Sequence, residues 1–127
     1  MRNFILFSSI ALAIATLPTN STNAQARVNC DDPKSVQESA HCAGIEFQQA
    51  DRRLNQTYAR VLVRHNDQAA LIRTAQRAWI TYRDTECAVI GARFNGHPGR
   101  AYEIINCKME LTNEREARLT ANYLLAD

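Results

Sequence analysis

Apolar positions along residues 42–125 recur at spacings of three and four, and no alternating run of four or more β-branched residues interrupts them. That period belongs to amphipathic helices, so the chain reads as helical and without strands. Asp32-Pro33 reads as an N-cap followed by proline at the first helical position, opening a short helix over about 33–41. A second helix follows over about 42–64. Ile45, Gln49, Leu54, Tyr58, Val61 and Leu62 share one face of it, while Arg52, Arg53, Gln56 and Arg60 lie on the other. Asp67 is placed to cap a third helix over 68 to about 92, with Leu71, Ala75, Ala78, Trp79, Tyr82, Glu86 and Ile90 as its inward stripe. The run Phe94-Asn95-Gly96-His97-Pro98-Gly99 is the clearest loop signal. A fourth helix over about 100–125 carries Ile104, Leu111, Arg115 and Leu119 on its face. The fold class expected is therefore all-α: a small up-down bundle of three long helices plus one short N-terminal helix.

The first 26 residues carry a different pattern. Arg2 precedes an uncharged apolar run over residues 4–17, Pro18 ends it, and Ala24-Gln25-Ala26 offers a small-x-small cleavage site. The run is 14 residues long, whereas a spanning helix needs about 20. Residues 1–26 thus read as a cleaved signal peptide, and residues 27–127 as one domain with no membrane association after cleavage. The first cysteine, Cys30, lies well past Pro18, so no lipid anchor is expected. The location that follows is periplasmic or secreted.

That location changes the reading of the cysteines. Cys30, Cys42, Cys87 and Cys107 all fall in the exported part, and an even count in a small exported domain argues for two disulfides. Three pairings are possible; Cys30–Cys42 and Cys87–Cys107 are favoured because each closes a local loop. No CxxC or CxxCH occurs, which argues against redox and covalent-haem motifs.

Charge narrows the partners. Residues 27–127 hold 14 basic and 13 acidic side chains, a net +1. Such a balance supplies no electrostatic drive toward nucleic acid. The histidines show no metal-ligand spacing, so neither metal nor cofactor is expected. Asp84 and Glu86 are two apart on a helix and point about 200° away from each other, so they cannot flank a glycosidic bond. The chain is read as a non-enzyme.

Three segments, ADRRLNQTY from Ala50, QRAWITYRDTEC from Gln76, and the string from Cys107 through Thr112 and Arg115 to Leu119, together resemble the N-terminal domain family of the lysozyme inhibitor LprI. The resemblance covers nearly all of residues 30–120. It implies an exported, helical, cysteine-bridged domain and, for the founding branch, inhibition of lysozyme. It carries no agreed contact residues. Where the family often has a patch of small residues between the last two helices, this chain reads FNGHPGR.

Two groups of residues are candidates for a role. Asp51, Asn55, Arg77, Arg83, Asp84 and Arg115 read as an interhelical polar network that fixes helix register, or else as a polar binding cleft. The loop holding Arg93, His97 and Arg100 reads as a cationic contact braced by a Cys87–Cys107 bridge, or else as an ordinary connection. The function expected is an exported protein-binding domain that occludes a lysozyme-type glycosidase stoichiometrically; the alternative is a structural or envelope-stress module that binds a partner protein without touching lysozyme.

Overall fold

The computed structural model describes residues 28–126. The signal-peptide expectation for residues 1–26 lies outside them. Among the described residues, three long helices form the fold: α1, Val36–Arg64; α2, Ala69–Arg93; and α3, Arg100–Leu119. A 3-10 turn, Asn66–Gln68, joins α1 to α2, and a π turn, Thr120–Leu124, continues α3. No strand occurs among the described residues.

The separate short N-terminal helix does not form. Its residues 36–41 are the first turns of α1, which runs unbroken through Gly44. The start is set by Ser35 and not by Asp32-Pro33. Ser35 Oγ accepts from the Glu38 backbone N–H at 3.1 Å, and Glu38 Oε2 accepts from the Lys34 N–H at 2.6 Å. Ser35 thus satisfies a first-turn donor that would otherwise lack a partner, and Glu38 ties down the backbone just ahead of the cap. Asp67 caps nothing either: it sits within the 3-10 turn, and Gln68 precedes α2 without a side-chain cap.

Hydrogen bonds across the bundle fix its topology. Arg53 reaches Asn113, Thr57 reaches Glu116 and Arg64 reaches Leu124, a near-constant offset that makes α1 and α3 parallel. Gln76 meets Arg115, Arg83 meets Thr112 and Cys87 meets Cys107, a falling register that makes α2 antiparallel to α3. The most extensive packing is between α1 and α3; α2 leans on α3, with far less backbone approach to α1.

The apolar core lies at one end. Leu54, Val61, Ile72 and Leu119 are buried there, with Tyr58, Leu62, Trp79, Tyr123 and Leu124 packed around them. Polar side chains are buried beside it, Thr57 between Leu54 and Val61 on α1 and Gln76, Arg83 and Thr112 where α2 meets α3, and toward the other end of α1 the buried side chains are the small Cys42, Ala43 and Ala50. Beyond that layer the cross-link Cys87–Cys107 ties α2 to α3, and Cys30–Cys42 ties the N-terminal arm to α1. Both pairings are the expected local ones.

The inward face of α2 differs from expectation. Leu71 is 74% exposed and Tyr82 54% exposed, while Ile72, Gln76, Arg83, Cys87 and Gly91 form the buried stripe. The disulfide supplies the reason. Cys87 must face α3 to reach Cys107, with Cα atoms 5.6 Å apart. Gly91 must face it too, since a Cβ there would come within 2.5 Å of Ile104 Cδ1. Those two residues rotate α2 and turn Leu71 and Tyr82 outward, while Trp79 stays packed against the core.

Candidate functional site

The expected polar network assembles around Arg83. Its guanidinium is buried where the three helices meet. Nε donates to Asp84 Oδ1 at 3.0 Å, and Nη1 lies 3.8 Å from Asp51 Oδ1 on α1 and 3.4 Å from Thr112 Oγ1 on α3. The aromatic rings of Phe47 and Trp79 flank it, their centroids 5.5 and 5.1 Å from Cζ, a placement that favours a cation. Asn55 Nδ2 donates to Asp51 Oδ2 at 3.0 Å and orients that carboxylate.

Arg115 joins from α3. Its Nε donates to Gln76 Oε1 at 3.0 Å and its Cζ lies 5.8 Å from the Trp79 ring centroid. Arg77 stands apart from these contacts and bonds to Thr74 one turn back on its own helix. Lys108, which the sequence reading omitted, reaches Asp84 at 3.3 Å. Arg83 from α2 and Lys108 and Arg115 from α3 thus meet acceptors on α1 (Asp51), α2 (Gln76, Asp84) and α3 (Thr112), so the network joins α2 to both other helices.

Burial pulls Arg115 below the ordinary guanidinium range, and the Arg118 charge adds to this against the opposing influence of Tyr123 and Tyr58. Coming from so high a value, it stays cationic at neutral pH. For Asp84, desolvation raises the carboxyl, but hydrogen bonds and charge from Arg83 and Lys108 outweigh it and hold the group below its ordinary 3.8. An aspartate lowered on folding stabilises the native state above its unfolded value and loses that contribution as pH falls through the folded value. Stability should therefore decline with acid below about pH 4, and Asp84→Asn should flatten the decline in urea titrations across that range. An undiminished acid slope in Asp84→Asn would show that the carboxylate is not paired in solution.

The α2–α3 loop is ordered by its own backbone. His97 N donates to Phe94 O at 2.9 Å, and Arg100 N donates to His97 O at 3.1 Å. Gly96 turns the chain with φ of 77°, in the left-handed region where a Cβ is penalised. Gly96→Ala should lower stability by about 1 kcal/mol in chemical denaturation; an unchanged midpoint would mean the turn has a second, equally good path.

The three basic loop residues are not equivalent. Arg100 Nε donates to Gly91 O at 2.9 Å, covering an end carbonyl of α2. His97 Nδ1 accepts from the Gly99 N–H at 3.1 Å, which leaves the neutral ring's proton on Nε2. Arg93, in the last turn of α2, is exposed. Arg93 and His97 thus present donors at the loop surface, while Arg100 also holds the loop to α2.

The description of the family "Lysozyme inhibitor LprI" matches residues 30–119, a span that takes in all three helices and both disulfides. An uncharacterized protein of Rhizobium meliloti (strain 1021) is 29% identical over 122 residues, covering 85% of this chain and 86% of its own length. No solved structure matches. Among the described residues no helix is long and apolar enough to cross a membrane. The helical frame, its two local disulfides and the family match over its whole length agree: this chain belongs to the lysozyme inhibitor LprI family.

Proposed function

We propose that this protein is exported and inhibits a lysozyme-type glycosidase by stoichiometric occlusion. The observation that carries the reading is the family match across residues 30–119. The physical side agrees with it. The 87–107 cross-link and the loop's internal hydrogen bonds pre-order the Arg93–Arg100 segment, which lowers the entropy lost on docking. A lysozyme cleft carries two carboxylates, and a fixed loop bearing Arg93 and His97 offers them charge-assisted donors.

The test is lysis of cell walls by c-type and g-type lysozymes in the presence of the oxidised domain. Lysis by one class should fall in proportion to added protein and stop near equivalence. Undiminished lysis at high micromolar protein would remove this reading and leave the structural module. Within an active inhibitor, Arg93→Ala combined with His97→Ala should raise the inhibition constant tenfold or more while the melting temperature holds within a few degrees. Unchanged inhibition would put the contact surface elsewhere. Arg100→Ala is the wrong probe, because losing its bond to Gly91 would loosen the loop itself.

A further inference from the structure

A cleft of about 410 Å³ opens beside the loop, between the N-terminal arm and the first turns of α3. Its walls are fixed by covalent and backbone means: Cys30 and Cys42, themselves cross-linked, form one side, and Gly99 with the start of α3 forms the other. Val36 and Ala43 give it an apolar lining, and Tyr102 an aromatic one. The charged groups that line it are both carboxylates, Glu46 from α1 and Glu103 from α3. Among the described residues neither takes part in a salt bridge.

We propose that this cleft receives an arginine side chain presented by the partner protein, an inference that rests on the reading of the domain as one that docks on a protein. A guanidinium suits it better than other groups. Its flat, weakly hydrated cation lies against aromatic and apolar walls while its fork of N–H donors serves carboxylates. Two acids from separate helices line the same space, and the disulfide ties the arm to α1 beside it. The cleft and the basic loop meet at Gly99, whose neighbours include both His97 and Val36. One partner surface can therefore engage both, giving its acids to the loop and an arginine to the cleft.

The probe is N-acetyl-arginine methylamide, titrated into the oxidised protein and followed by amide chemical shifts. Saturable shifts confined to the segments around Val36, Ala43, Glu46 and Tyr102 are expected, with dissociation in the millimolar range. The uncharged analogue N-acetyl-citrulline methylamide should bind at least tenfold more weakly. Glu46→Gln with Glu103→Gln should weaken the arginine probe tenfold or more at an unchanged melting temperature. Asp67→Asn with Glu114→Gln, the same charge change at two exposed acids that do not line the cleft, should leave it alone. Shifts that never saturate, or equal losses in the two double variants, would overturn the site. This titration needs no lysozyme, so it stands or falls separately from inhibition. Where the wild type inhibits, Glu46→Gln with Glu103→Gln should also weaken inhibition; full inhibition by that variant would overturn the partner assignment.

Discussion

Replacing Cys87 and Cys107 together by alanine should lower stability by about 3 kcal/mol, the chain-entropy value for a loop of roughly 20 residues. For a domain of this size that corresponds to a fall in melting temperature of roughly 12–24 °C. The size follows from where the link lies. Cys87 is fully buried, and it sets the rotation that brings Gln76, Arg83 and Gly91 against α3. Without it, Leu71, Tyr82 and Val89, now outward, would compete for the inner face. The Cys30–Cys42 link ties only an exposed arm to α1, so its removal should fray the arm and lower the global midpoint less. Scanning calorimetry of both double variants reads the contrast. A loss below about 1 kcal/mol for the 87–107 pair would mean that packing alone fixes α2.

Arg83→Ala should cost about 2–4 kcal/mol, whereas Arg83→Met should lose no more than about 1 kcal/mol. Arg83 is 8% exposed and fills the junction of three helices against Phe47 and Trp79. Truncation leaves that space unfilled and takes a partner from buried Thr112. The carboxylates are less demanding: the Asp51 and Asp84 side chains are 44% and 45% exposed, so water covers them once the arginine is gone. A long apolar side chain should therefore recover most of the loss. Urea unfolding of the two variants decides the point. If Met proves as damaging as Ala, the ion pairs and not the filled volume hold the junction.

The three long helices and the loop were legible in the sequence because they rest on strong local signals: the three-four period, and the cluster Gly96, Pro98, Gly99. The disulfide pairing was legible because each link closes a short loop. The polar network was legible in membership more than in geometry. Asp51, Asn55, Arg83, Asp84 and Arg115 come together, but Arg77 lies on the wrong side of α2 once Cys87 sets its rotation. That rotation was the hidden quantity. Apolar periodicity favoured a stripe through Leu71 and Tyr82, and tertiary constraint at Cys87 and Gly91 overrode it. The helix start was misread for another reason. Asp32-Pro33 is a good opening signal, yet Ser35 accepts from the Glu38 N–H while the Glu38 carboxylate accepts from the Lys34 N–H just before the cap, and these bonds set the start. The cleft at Glu46 and Glu103 had no sequence signature, since its walls come from segments more than 50 residues apart that only the parallel α1–α3 packing brings together.

The most direct test of the proposed reading, a rigid helical domain that works by fitting another protein, is calorimetric titration of the oxidised domain into c-type and g-type lysozymes. One-to-one binding is expected, weakened when the disulfides are reduced beforehand. No heat of binding with any lysozyme class, or equal affinity for the reduced protein, would contradict it.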